Sequence, residues 1–268
     1  MNAPSAPNDR AGRTTGLWRR AKQAPTVSTL VLLALVSLVF VAVPGIDLRV
    51  SALFYHPGSG FVRSSVAESV RDAGRFLAAL FALVMTLPLV LKLILPDTQL
   101  LVRPRSVLFV LLSWLLGPAL LVNGVLKEHW GRARPREIVE FGGRAIFTPA
   151  WWLSDQCVGN CSFVSGEAAS AFWLMAAVFI VPRPMKVPVA VLTLFFATLV
   201  SVARMAAGGH FLSDILIAWT LTLLVLVVLD RLVLKGLPDA FDSNVDRSLA
   251  TTGLTLRRLP ERLGRRTS

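Results

Sequence analysis

The sequence predicts an all-α, polytopic membrane protein: six transmembrane helices in one bundle (residues 27–234), flanked by basic tails at 1–26 and 235–268. Three observations carry this expectation. The 268-residue chain is 54% hydrophobic yet bears a formal charge of +12, and its mean hydropathy is +0.63, a combination that a soluble domain with an ordinary polar surface does not show. Apolar runs long enough to cross roughly 30 Å of hydrocarbon as helix recur along it. The cations gather between and beyond those runs, as membrane-flanking charges do.

The first run, Val27–Val43, follows the basic stretch RTTGLWRRAKQ. Its apolar core is too long for a signal peptide and no small-x-small cleavage site follows, so it reads as an uncleaved anchor. Arg19-Arg20 fit a positive-inside anchor better than a twin-arginine signal. Residues 1–26 lack helical periodicity and are expected to be a flexible tail. Between the first and second runs, residues 45–75 mix charges with apolar residues at helical spacing, which suggests an outer loop on the membrane surface with one interfacial helix. The second and third runs are Phe76–Leu95 and Val107–Leu126. The fourth and fifth, Gly166–Val181 and Val187–Val202, are short and separated only by PRPMK, whose prolines and cations suit a tight surface turn. Pro188 then falls in a first helical turn, where a missing N–H does no harm. The sixth run is Phe211–Leu234, and the basic, leucine-dotted C-terminus suits loose attraction to anionic lipid.

An even number of spans puts both termini on one side. Arg10, Arg13, Arg19, Arg20 and Lys22 at one end, with Arg257, Arg258, Arg262, Arg265 and Arg266 at the other, place that side in the cytoplasm. Lys127, Arg132, Arg134, Arg136 and Arg144 then crowd an outer loop, where topology does not explain them. Cys157 and Cys161 share that loop, and a bacterial periplasm permits either a disulfide or two free thiols there. No histidine or further cysteine stands at ligand spacing, so no zinc site is expected. The basicity lies at bilayer-anchoring positions, so no nucleic-acid partner is indicated. Oligomeric state is not legible.

Three clusters bear chemistry. In ARMAAGGHFLSDIL, Gly208 and Gly209 favour a reversal that leaves Arg204 at the end of one helix and His210 at the start of the next. His210 and Asp214 are i and i+4, so Asp214 can accept a hydrogen bond from one ring nitrogen and orient the other as base or nucleophile. A structural pair capping the helix is the alternative, but ionisable groups at membrane depth usually mark functional sites. In KEHWGRARPRE, Lys127 and Arg134 lie about two turns apart and can face one anion, although such a loop alone is often just an electrostatic surface. In NCSFVSGEAASAF, Ser165 and Gly166 open a helix whose N–H groups can bind an anion, or Ser165 is a simple N-cap. Together they supply three cations, a helix N-terminus, an oriented imidazole and an acid, Glu167, all at the outer ends of spans three to six. That is a phosphate site.

Here the chain resembles the type 2 phosphatidic acid phosphatase (PAP2) superfamily of membrane lipid phosphatases, whose signatures are Lys-x6-Arg-Pro, Pro-Ser-Gly-His and Ser-Arg-x5-His-x3-Asp. This chain reads Lys127-x6-Arg134-Pro135, Val164-Ser165-Gly166-Glu167 and Ala203-Arg204-x5-His210-x3-Asp214. The first signature is intact, the second departs at both ends, and the third lacks its leading serine. The resemblance implies a PAP2-type helical core. It implies that His210 attacks phosphorus and is transiently phosphorylated with Asp214 polarising it, and that Lys127, Arg134, Ser165, Gly166 and Arg204 hold the phosphoryl oxygens. It implies no cofactor and no metal.

Glu167 replaces the histidine that in the family protonates the leaving oxygen. It is either a substitute general acid, protonated once substrate fills the site, or a counter-charge for Arg134 or Lys127. His129 is a fallback donor, and His56, before Pro57-Gly58, reads as a turn residue. The expected partner is a lipid phosphate in the bilayer's outer leaflet. Arg132, Arg136 and Arg144 hint at a headgroup with several phosphates, and CSFVSGEAASAF is similar to branches that include lipid A phosphatases. Undecaprenyl diphosphate and phosphatidylglycerophosphate are rival substrates; phosphotransfer and non-catalytic phospholipid binding are rival activities.

Overall fold

The computed structural model describes residues 10–62 and 65–264. The chain runs α1 (Arg10–Ala42), α2 (Gly45–Ala52), a hairpin of β1 (Tyr55–His56) and β2 (Gly60–Phe61), α3 (Ser65–Ile94), α4 (Pro104–Trp114) and α5 (Lys127–His129). It continues through α6 (Gly166–Trp173), α7 (Ala176–Ile180), α8 (Lys186–Ala206), α9 (Leu212–Leu229) and α10 (Ala240–Gly264). Among the described residues five helical segments are long and apolar enough to cross a membrane: Ala24–Ala42, Ser65–Ile94, Pro104–His129, Arg183–Ala206 and Leu212–Leu234. The remaining expected span is the shorter Gly166–Ile180, which breaks into α6 and α7.

Helix α9 is apolar on every face and is the most enclosed span, with α1, α4 and α6 packed round it. The outer helices turn leucine, valine and phenylalanine outward, among them Leu35 and Leu38 on α1, Phe76 and Leu83 on α3, and Leu192 and Phe195 on α8. In hydrocarbon that exposure costs nothing, since lipid tails are as apolar as the side chains.

Helix α4 runs into α5 through a π-helical stretch, Leu115–Leu126. Pro118 lies inside it; proline has no N–H and its ring crowds the preceding turn, so the helix widens there. Asn123 Nδ2 donates to the Pro118 carbonyl at 2.7 Å, which fixes the Asn123 side chain beside the start of α6.

The helical path ends at His129, so Lys127 and Arg134 do not share a helix face as their spacing suggested. Gly131 has φ 68°, and a Cβ there would lie 1.6 Å from the Ser154 carbonyl oxygen, so only glycine makes this reversal. The helix expected after the first span is α2, and the hairpin follows it. Tyr55, Phe61 and Phe141 pack in tilted and edge-on contacts with centroids 5.2–5.4 Å apart, clamping hairpin and outer loop together over the turn at Gly208. His56 sits exposed on that hairpin, as its turn-like context implied.

At the other end of the bundle α10 crosses the ends of α3 and α4. Asp242 accepts from Arg105 Nε at 2.7 Å, Asp246 lies 3.0 Å from Lys92 Nζ, and Arg257 donates to the Ile94 carbonyl at 2.7 Å. Along α3, Lys92 and Arg75 are roughly 25 Å apart at 1.5 Å rise per residue. The tails expected at each end therefore begin or continue as helix, in α1 from Arg10 and in α10 to Gly264. Residues 1–9, Arg265 and Arg266 lie outside the described residues.

Candidate active site

His210 is fully buried at the turn between α8 and α9. Its Nδ1 lies 2.8 Å from the Ser162 carbonyl oxygen, which can only accept, so Nδ1 carries a proton and, in the neutral ring, Nε2 keeps its lone pair. Asp214 does not make the ring hydrogen bond that i,i+4 spacing suggested: Nδ1 is 3.9 Å from Asp214 Oδ2. The reason is local. Asp214 occupies the third position of α9, where Oδ2 accepts from the Phe211 N–H at 2.8 Å and satisfies one of the helix's orphan donors. The same oxygen accepts from the Ser162 hydroxyl at 2.6 Å. Asp214 thus orients His210 through Ser162, whose carbonyl holds the ring.

Beneath this lies a buried network that sequence reasoning missed. Arg132 is wholly enclosed, so it is not the headgroup-facing cation the sequence suggested. It donates to Asp214 Oδ1 at 2.6 Å, Asp47 Oδ2 at 2.8 Å, Ser213 Oγ at 2.8 Å and the Thr148 carbonyl at 2.8 Å. Its guanidinium also lies over the Phe211 ring, 4.3 Å from the centroid. Asp47 comes from α2 and accepts from both the Ser213 N–H and its hydroxyl. Burial pushes the Asp47 carboxyl above the ordinary carboxylate value; Arg132 opposes the shift and Asp214 adds to it.

A cavity of about 160 Å³ opens beside Glu167, with Arg75, Asn123, Lys127 and Gly166 also in its lining. Glu167, in the first turn of α6, meets four charged or titratable neighbours. Oε1 is 3.5 Å from Arg75 Nη2 and 3.9 Å from Arg204 Nε; Oε2 is 4.0 Å from Lys127 Nζ and 3.5 Å from His210 Nε2. The structure therefore joins Lys127, Gly166, Glu167, Arg204, His210 and Asp214 from distant parts of the chain. It also adds Arg75, from α3, which sequence reasoning passed over as part of a surface loop.

Glycine at 166 is a packing requirement, since a Cβ would lie 2.2 Å from Asn123 Oδ1. Ser165 caps α6, its hydroxyl accepting from the Ala168 N–H at 3.3 Å, which is the simpler of the two roles its position allowed. His129 is exposed, with Nδ1 2.9 Å from the Val125 carbonyl of its own helix, and it does not face Glu167's cavity.

Arg134 is seated by the outer loop. Cys157 and Cys161 form a disulfide, closing a small ring that holds Asn160 at φ 51°. The Asn160 carbonyl accepts from Arg134 Nη2 at 2.5 Å, and the Cys161 N–H donates to the Lys127 carbonyl at 3.2 Å. The ring thus ties both cations of the first signature to one loop. Replacing both cysteines by serine is expected to raise KM about three- to tenfold with a smaller change in kcat, because one charge-assisted contact loses its fixed partner. Steady-state kinetics with and without a reductant check it; wild-type kinetics indifferent to reduction would contradict it.

Residues 106–236 match the PAP2 superfamily. The chain is 36% identical over 208 residues to the lipid A 4'-phosphatase of Rhizobium etli, a match covering 71% of this chain and 80% of that one. It is 32% identical over 189 residues to the lipid A 4'-phosphatase of Francisella tularensis subsp. novicida, covering 66% and 81%. Its fold is similar to the crystal structure of a transmembrane PAP2 type phosphatidylglycerolphosphate phosphatase from Bacillus subtilis, with a TM-score of 0.51 at 22% identity, covering 81% of this chain and 97% of that one. With Lys127, Gly166 and Glu167 lining one cavity, and Arg204 and His210 at 3.9 and 3.5 Å from Glu167, inside a bundle of apolar helices, this chain is a multi-pass membrane protein that belongs to the PAP2 superfamily of membrane lipid phosphatases.

Proposed function

We propose that this protein removes a phosphate ester from the headgroup of lipid A at the periplasmic face of the inner membrane, through a phosphohistidine at His210. The observation that carries the reading is a set of three buried polar atoms. His210 Nε2, Glu167 Oε2 and Arg204 Nε each lack a hydrogen-bond partner among the described residues, and they lie round one acid with Lys127 alongside. Buried polar atoms are ordinarily paired; a substrate phosphoryl oxygen accepts from the Arg204 N–H, its phosphorus faces the Nε2 lone pair, and Glu167, once protonated, donates to the ester oxygen. The names of the relatives support lipid A among lipid phosphates. The outward face is supported by the paired cysteines, which suit an oxidising compartment, and by the site's distance from α10 at the other end of the bundle.

In this mechanism the Nε2 lone pair forms a bond to phosphorus as the bond to the lipid oxygen breaks. Lys127, Arg134 and Arg204 offset charge on the equatorial oxygens. The leaving oxygen takes a proton from Glu167. Water then attacks the phosphohistidine, Glu167 takes back a proton, and inorganic phosphate leaves.

The cations within 4.0 Å of Glu167 keep its carboxylate ionised at rest, where it balances their charge. A bound phosphate dianion takes over those cations and lets the acid hold a proton. Glu167→Gln is therefore expected to slow release from a lipid A monoester about a hundredfold, and release from undecaprenyl diphosphate at least tenfold less, since phosphate is itself a good leaving group. Equal losses on the two substrates would reduce Glu167 to a counter-charge. In the same assay wild-type protein is expected to show its highest kcat/KM on lipid A, with the phosphate freed as inorganic phosphate. A preference for undecaprenyl diphosphate or phosphatidylglycerophosphate would overturn the substrate, phosphate passed to a lipid acceptor would mark a transferase, and no turnover would mark a binding protein.

A further inference from the structure

A second cavity adjoins the catalytic one. It measures about 230 Å³ and is lined by Glu68, Arg71, Arg136 and Arg204 among others. Arg71 also lines the catalytic cavity, and Arg204, whose Nε faces Glu167, lines this second one, so the two spaces share a wall of guanidinium groups.

The sequence explains why α3 comes so close. Gly74 packs on α8, where a Cβ would lie 3.3 Å from the Val200 side chain. That approach brings the preceding turn of α3, carrying Arg71, against Ala203 and Arg204. Arg71 and Arg75 are one helical turn apart and so point along the same side of α3. The two linings together hold five cations, Arg71, Arg75, Lys127, Arg136 and Arg204, against two acids, Glu68 and Glu167. One phosphoryl group does not need five. Asp72 contacts Arg71 Nε at 3.2 Å and Glu137 Oε1 lies 3.9 Å from Arg136 Nε, but both pairs join chain neighbours through exposed carboxylates, contacts of little strength.

We propose that this second cavity is an anion subsite for a further phosphoryl group on the same headgroup, and that Arg71 is the specificity-determining residue that recognises it. The proposal rests on the lipid phosphatase reading above. The headgroup lies with its reacting phosphate against His210 and its other phosphate between Arg71 and Arg136, beyond Arg204. The second phosphate binds but does not react, since no imidazole lies in that lining. The subsite thereby selects doubly phosphorylated headgroups and fixes which phosphate is removed.

The test compares two lipids identical except that one carries two headgroup phosphates and the other only the reacting one. Wild-type KM is expected to be about tenfold lower for the doubly phosphorylated lipid, the strength of one charge-assisted contact. Arg136→Gln, outside the lining of the catalytic cavity, is expected to remove most of that difference by raising KM on the doubly phosphorylated lipid alone, and Arg71→Gln, which touches both cavities, is expected to raise KM more on that lipid than on the singly phosphorylated one. Arg71→Lys is expected to retain part of the preference. Equal shifts on both lipids, no shift on either, or no wild-type preference would overturn the subsite while leaving the lipid phosphatase reading intact. Wild-type protein inert on both lipids would take down both proposals. Inorganic phosphate supplies the last arm: its inhibition constant against the singly phosphorylated lipid is expected to be unchanged by Arg136→Gln. A tenfold change there, with lipid discrimination unaltered, would identify a site for free phosphate and overturn the headgroup assignment.

Discussion

Arg132→Met is expected to destabilise the protein by about 3–5 kcal/mol and to abolish phosphate release. Methionine fills similar volume but leaves Asp47 and Asp214, both fully enclosed, without the cation that bridges them at 2.8 and 2.6 Å. Asp47→Asn is expected to cost less, about 1–2 kcal/mol, because burial already draws that carboxyl toward its neutral form. The double variant is then expected to recover part of the Arg132→Met loss, since one of the two stranded acids is gone. Thermal unfolding in detergent, with phosphate release measured on the protein that remains folded, reads both effects. An Arg132→Met variant within about 0.5 kcal/mol of wild type would behave as a surface substitution and would contradict the buried bridge. The coupling matters for catalysis because Arg132, Ser162 and Asp214 form one path to the imidazole: Ser162 N–H donates to the Arg132 carbonyl at 2.8 Å while its own carbonyl holds His210.

The contrast between Arg132 and Arg134 shows what a sequence discloses. Both stand in one basic loop with the same residue type, and only Arg134 carries a local mark, with Lys127 six intervening residues before it and Pro135 after it. Nothing local distinguishes a cation that enters the interior from one at its edge; Arg132 is defined by Asp47, 85 positions away. The spans were legible because length and apolarity are properties of a run itself, whereas the π-helical stretch over Leu115–Leu126 depends on how Pro118 and Asn123 settle together. Helical spacing placed His210 and Asp214 on one face, but spacing does not reveal that the backbone N–H of Phe211 claims the carboxylate first. Arg75 escaped notice because α3 reaches the site through long-range packing on α6 and α8, Gly74 lying against Val200, which no local pattern announces.

Removing the imidazole with His210→Asn is expected to lower kcat by at least about a thousandfold with KM changed only a few-fold, the mark of a group used in the reaction rather than in binding. Asparagine is the informative replacement. Its amide can donate to the Ser162 carbonyl in place of Nδ1–H, whereas alanine would leave that buried acceptor unpaired at a cost of about 1–3 kcal/mol and confuse chemistry with folding. Wild-type protein quenched in alkali during turnover of labelled lipid phosphate is expected to retain label at position 210, and the variant none. The pH profile follows from the same burial, which lowers the pKa of His210 from its ordinary 6.5 against the opposing pull of Glu167 and Asp214. Only the neutral ring has a lone pair to attack with, so the free enzyme loses activity when pH falls far enough to protonate it. The acid limb of kcat/KM is accordingly expected below 6.5, after allowance for the substrate's own phosphate titration near pH 6. An acid limb above 6.5 that shifts with Glu167→Gln would mean instead that the imidazole rests as a cation paired with that carboxylate and must lose a proton before it can attack, overturning the burial argument.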